Sequence, residues 1–81
     1  MIEILFFGRM ADVTGSRRIM ADDTGDTSLF AMRDRVFAAA LASGQVRTAE
    51  IRMSVNRRVV TTDEILADGD EVAFFSVFSG G

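Results

Sequence analysis

The sequence predicts an α+β fold in which one mixed β-sheet carries a single main helix on one face. Three observations lead there. Short runs alternate apolar and polar residues with period two near both ends of the chain, one long stretch in the middle repeats its apolar residues at helical spacing, and turn residues separate them. The 81 residues amount to one small domain, and with 48% hydrophobic residues the chain has enough apolar surface to form a core without staples.

Residues 2–7, Ile-Glu-Ile-Leu-Phe-Phe, form the first expected strand. Period two sets Ile2, Ile4 and Phe6 on one face and Leu5 and Phe7 on the other. Gly8 ends it. Residues 12–15 read as a turn, and residues 17–21 as a second strand paired with the first as a hairpin. An acidic loop follows over residues 22–26. Ser28, or Thr27, is placed to cap a helix. From Leu29 the apolar positions Leu29, Met32, Val36, Phe37, Ala40 and Leu41 keep helical spacing, and Gly44 suits the residue just past the helix end. The capping box is incomplete, because Ala31 stands where Glu or Gln would complete it.

After a polar loop over residues 43–50, Ile51, Met53 and Val55 alternate with Arg52, Ser54 and Asn56 as a half-buried strand. Residues 56–58 turn into a short strand at Val59 and Val60. The stretch 61–66 is expected to be irregular, with Ile65 and Leu66 tucked inward. Asp68-Gly69-Asp70 is a tight turn, since Asp bonds locally and Gly accepts positive φ. Residues 71–75 form the last strand, with Val72 and Phe74 on one face and Ala73 and Phe75 on the other. The first and last strands are joined by a long, helix-containing connection, as parallel neighbours require. This is the β-grasp, or ubiquitin-like, architecture.

Several function classes are excluded. Cysteine and histidine are both absent, which removes disulfides, thiolate metal sites, a cysteine nucleophile and the usual neutral-pH base. A net charge of −3 disfavours nucleic acid. No apolar run is long enough to span a bilayer and no secretion signal opens the chain, so a cytoplasmic location is expected. Residues 8–15 lack the lysine and spacing of a P-loop. Asp68 and Asp70 are explained by turn chemistry rather than by a cation. The acidic residues Asp63, Glu64, Asp68, Asp70 and Glu71 read as solvated surface, or as a charge beside the tail that steers it toward a basic mouth. All nine basic residues are arginine, and no enzyme of its own is visible in this chain.

One helix covers only one face of a sheet, so Leu5, Phe7, Ser54, Ala73 and Phe75 fall on the open face as a partner surface. Beyond the domain over residues 1–75 runs a tail, 76–81, ending in Gly80-Gly81. Six extended residues at roughly 3.3 Å each reach about 20 Å. Glycine, lacking Cβ, enters narrow sites, so the terminal carboxylate reads as a chemical handle.

Val55-Asn56, Asp63, Leu66, the run Asp68-Gly69-Asp70-Glu71-Val72-Ala73-Phe74 and the ending Ser79-Gly80-Gly81 resemble the MoaD/ThiS sulfur-carrier family, in its molybdopterin-synthase small-subunit branch. The opening Met1-Ile2-Glu3-Ile4-Leu5-Phe6-Phe7-Gly8-Arg9 is similar to that family's start. The resemblance implies that Gly81 is adenylated by an ATP-using, ubiquitin-activating-like enzyme and converted to a thiocarboxylate, with Gly80 giving access. It implies sulfur transfer to cyclic pyranopterin monophosphate inside a larger synthase subunit, in a heterotetramer of two small and two large subunits. Leu5, Phe7 and Phe75 of the open face, with Val59, Phe78 and Ser79, are the expected partner contacts, and no cofactor or metal is expected on the chain itself. The family commonly has two prolines where Ser76 and Val77 stand here, and a smaller aliphatic residue at Phe78. A carrier for thiazole or another thiolated product, a protein modifier and a ubiquitin-like binding module are the alternative readings.

Overall fold

The computed structural model describes residues 1–22 and 27–76. The elements are β1 (Ile2–Phe6), α1 (Arg9–Thr14), β2 (Arg18–Ala21), α2 (Leu29–Val36), α3 (Ala38–Ser43), a 3-10 turn (Thr48–Glu50), β3 (Ile51–Val55), β4 (Arg58–Val60) and β5 (Glu71–Ser76). The five strands form one sheet in the order β2-β1-β5-β3-β4. β1 and β5 are parallel central neighbours, as their long connection predicted, and the remaining pairs are antiparallel. β5 runs one residue past the expected boundary, because Ser76 pairs with Ile51. The acidic residues 23–26 and the tail residues 77–81 lie outside the described residues.

The covered face is the one expected. Ile2, Ile4, Phe6, Ile51, Met53, Val55, Val72 and Phe74 are all buried, together with Leu29, Met32, Phe37 and Ala40 from the helices. Three rings form its centre. Phe74 meets Phe37 edge-on with centroids 5.2 Å apart, Phe6 meets Phe37 edge-on at 5.8 Å, and Phe6 and Phe74 stack at 5.9 Å. Such pairs add about 0.5–1.5 kcal/mol each beyond the area they bury.

The structure corrects three local expectations. Residues 9–14 are a helix, not an open loop before a turn; Met10 is buried under it and Gly15 closes it in the left-handed conformation. A six-residue helix contributes too few apolar positions to show a stripe. The long helix is broken at Phe37 (φ −100°, ψ 16°) into α2 and α3. Hydrogen bonds still run from the Phe37 N–H to the Arg33 carbonyl and from the Leu41 N–H to the Phe37 carbonyl, so Phe37 is bonded into both helices. Ile65 is 62% exposed while Leu66 is buried. The 64–66 segment lies extended along the start of α2, with the Leu29 N–H on the Glu64 carbonyl and the Leu66 N–H on the Thr27 carbonyl. Adjacent side chains of an extended segment point opposite ways, so only one turns inward.

Asp63, just before that segment, adds a second side-chain cap to α2. Ser28 caps α2 by accepting the Ala31 N–H at 3.0 Å, and Asp63 accepts the Phe30 N–H at 2.8 Å.

Asn56 ties the β3–β4 hairpin to the start of β5. Asn56 (φ 51°) and Arg57 (φ 68°) form the two-residue turn between β3 and β4, the positive-φ pattern that matches strand twist. The Asn56 N–H bonds the Glu71 carbonyl at 2.7 Å, its amide oxygen accepts the Glu71 N–H at 3.0 Å, and its amide nitrogen donates to Asp70 at 3.0 Å. Asn56→Ala removes both side-chain bonds and a residue tolerant of positive φ. It is expected to cost about 1–3 kcal/mol, read from urea unfolding.

Candidate functional site

The open face of the sheet is assembled by register. Leu5 stands opposite Ala73, Ala73 opposite Ser54, and Ser54 opposite Val59, which makes one row across four strands. The next row toward the end of β5 holds Phe75, with Arg52 directly opposite. Phe7 lies just past β1 beside it, its N–H bonded to the Phe74 carbonyl at 3.0 Å. Phe7 and Val59 are 53% and 65% exposed, large values for apolar side chains. Leu5 and Phe75 are half-buried, and Ala73 is buried. The expected contacts Leu5, Phe7, Val59 and Phe75 thus share one face. Phe78, Ser79, Gly80 and Gly81 lie outside the described residues.

The patch has a deeper side. A groove of about 570 Å³ is lined by Leu5, Phe6, Phe7 and Gly8 at the end of β1 and, as a second wall, by Ala11 and Asp12 of α1, with Arg17 beside them. Helix α1 builds the second wall, so the face is less flat than a bare sheet. Sequence reasoning missed this wall because it missed α1. Gly8, at φ 54°, turns the chain from β1 into that helix.

Charge on the face is unevenly placed. Asp68, Asp70 and Glu71 sit where β5 begins, five residue steps before Ser76, which at about 3.3 Å per residue is roughly 17 Å from the tail root. These three acids are therefore not beside the tail root, contrary to the sequence expectation. Its members also have local roles. Asp70 accepts the Ala67 N–H at 2.8 Å, Glu64 pairs with Arg58 at 3.3 Å, and Arg57 lies 3.8 Å from Glu71. The Met1 ammonium bonds Asp68 and, by that hydrogen bond first and its charge second, holds the carboxyl below its usual range.

Among the described residues no cluster of His, Cys, Asp or Glu is arranged to hold a metal ion, and no helix is long and apolar enough to cross a membrane.

A mixed five-stranded sheet with helices on one face and an apolar open face defines a ubiquitin-like β-grasp protein. The sequence matches the ThiS family model over residues 4–81, and the chain belongs to that family, the MoaD/ThiS group of sulfur carriers. It is 36% identical over 87 aligned positions, spanning the whole of both chains, to the molybdopterin synthase sulfur carrier subunit of Escherichia coli. The crystal structure of SAMP1 from Haloferax volcanii superposes with a TM-score of 0.76 at 30% identity, covering 99% of this chain and 98% of that one. The solution structure of Urm1 from Trypanosoma brucei, at 23% identity, a TM-score of 0.67 and coverage of 99% and 94%, shares the fold.

Proposed function

We propose that this chain is the small, sulfur-carrying subunit of a molybdopterin synthase. The observation that carries the reading is the end-to-end match to the E. coli carrier subunit, which leaves no part of either chain unaligned. The open face and the parallel β1–β5 pair support it, because they set the tail root beside the apolar patch.

The chemistry begins at the Gly81 carboxylate, anionic at neutral pH and a poor acyl donor. A carboxylate oxygen attacks the α-phosphorus of ATP on an activating enzyme, pyrophosphate leaves, and an acyl-adenylate forms. A sulfur nucleophile then displaces AMP to give the thiocarboxylate. The loaded tail enters the large synthase subunit, where its sulfur passes to cyclic pyranopterin monophosphate toward the dithiolene. Two sulfurs require two loaded carriers per pterin, consistent with a two-plus-two heterotetramer. ATP belongs to the activating enzyme and the pterin to the large subunit, so this chain supplies the acyl group and the docking surface. Gly80 keeps the tip narrow. A cytoplasmic setting follows from those soluble partners.

The docking surface offsets an entropic cost. Each tail residue ordered in a partner's channel loses about 1–2 kcal/mol of backbone freedom. Phe7 and Phe75 are the large apolar groups nearest the tail root. Phe7→Glu and Phe75→Glu are expected to leave the far-ultraviolet spectrum unchanged and to weaken large-subunit binding by about 2 kcal/mol or more, measured by calorimetry. Unchanged affinity in both variants would remove the face from the interface.

The branch is tested in two strains, one lacking its own molybdopterin synthase carrier subunit and one lacking its own thiazole sulfur carrier. Expression of this chain with its cognate large subunit is expected to restore molybdopterin. Restoration of thiamine alone would assign the thiazole branch, and recovery of the chain joined to lysines of other proteins would make it a modifier.

A further inference from the structure

The rim of the open face carries an arrangement that its apolar centre does not explain. Arg52 projects from β3 on the same face as Phe75, its direct cross-strand partner, since Ile51 and Met53 on either side are buried. Arg17 lines the groove with Leu5 and Phe7 on the opposite flank. Both arginines are exposed, and among the described residues they, like Arg35 and Arg47 away from this face, form no ion pair, whereas Arg9, Arg18, Arg33, Arg57 and Arg58 each lie against a carboxylate. Asp12 lines the same groove as Arg17 without closing an ion pair to it. Of the other acids, Glu3 lies against Arg18 and Glu71 against Arg57, which leaves Asp12 as the one unpaired carboxylate beside these two arginines among the described residues. With Asp12 set against the two arginines, one positive charge is left over at this end of the face, on a chain whose net charge is −3.

We infer that the partner surface covering this face presents carboxylates opposite Arg17 and Arg52, on either side of an apolar seat for Phe7 and Phe75. The two arginines belong to chain segments three strand spacings apart, from the β2 flank across β1 and β5 to β3. At about 4.8 Å per spacing the acidic groups stand roughly 14 Å from each other. The net negative charge of the chain gives the opposite instruction, toward a basic partner. At contact the local charge dominates, because separations beyond about 8–10 Å are screened in physiological salt. The pair acts as a selector: a basic contact surface would meet a rim of net positive charge, and like-charge juxtaposition suppresses wrong partners.

This inference rests on the carrier reading for the identity of the partner, the large subunit of the cognate synthase. Its test is the affinity of the complete chain for that subunit, measured for wild type, the double variant Arg17→Glu/Arg52→Glu, its neutral form Arg17→Gln/Arg52→Gln, and Arg35→Glu. Arg35 is exposed on α2, away from the open sheet face, so its reversal changes net charge without touching the rim. Thermal unfolding verifies that each variant is folded. At about 0.1 M salt the double reversal is expected to weaken binding by about tenfold or more, mainly through the association rate, with the neutral form in between and Arg35→Glu within about twofold of wild type. At about 1 M salt, where the screening length falls to about 3 Å, the difference should largely close. Equal or tighter binding by the double reversal, or an equal loss in Arg35→Glu, overturns the acidic-partner assignment while leaving the carrier reading standing. Failure of the wild-type chain to bind the large subunit overturns both.

Discussion

Removing Gly81, or extending the chain beyond it with residues that are not trimmed, is expected to abolish sulfur delivery while leaving the unfolding temperature unchanged. The reacting atoms in the proposed mechanism are those of one terminal acyl group, so no side chain substitutes for them. Gly80→Ala is the graded version. A Cβ in a channel shaped for glycine displaces the acyl carbon, and a misplacement of about 1 Å lowers a positioned reaction by about a hundredfold. Single-turnover formation of molybdopterin from preloaded carrier measures this, and titration of the variant against the large subunit separates delivery from docking. Full activity in the extended chain would place the chemistry somewhere other than Gly81.

Phe74→Ala is expected to cost about 3–5 kcal/mol, the range for truncating a buried phenylalanine. Phe74 is fully buried and touches both other rings of the central trio. Domains of this kind have only about 5–15 kcal/mol in total, and a chain of this size sits toward the lower end, so a large share of its stability is lost. Phe75→Ala, one residue later and on the other face, provides the contrast. Phe75 is half-buried on the open side, and its truncation is expected to cost less than about 1.5 kcal/mol while weakening partner binding. Denaturant unfolding of the two variants side by side reads whether one strand divides its labour between core and contact. Comparable losses would mean that the open face is part of the core.

Much of this was legible because a strand repeats every two residues. Ile2, Ile4 and Phe6 were separable from Leu5 and Phe7 without knowing any neighbour, and the same held for Val72 and Phe74 against Ala73 and Phe75. Gly44, Gly69 and Ser28 marked ends and turns by local chemistry alone. The failures share a different cause. Helix α1 is held by Met10 reaching the core and by Arg9, which donates to the Gln45 carbonyl at 2.7 Å and lies 3.4 Å from Glu50. Those partners are distant in sequence. The break at Phe37 falls on the residue whose ring meets Phe6 and Phe74 edge-on, contacts distant in sequence from a segment with uninterrupted helical spacing. Ile65 and Leu66 look equivalent as apolar neighbours until the extended path along α2 turns only one of them inward. The acidic stretch was misplaced for the same reason: sequence proximity to the tail is not spatial proximity when a strand stands between.

The charged rim shows the same limit at the functional face. Alternation puts Arg52 among the outward residues of β3, but only strand order sets it opposite Phe75, and only the groove brings Arg17 alongside Phe7.

The central claim is that Gly81 is loaded with sulfur. Intact-mass measurement of the full chain after incubation with ATP, an activating enzyme and a sulfur donor reads it directly. The expected product is heavier by the difference between one sulfur and one oxygen, the added mass maps to the terminal peptide, and it is absent without ATP. An unchanged mass, in a reaction that does thiocarboxylate a known carrier run alongside, would contradict it.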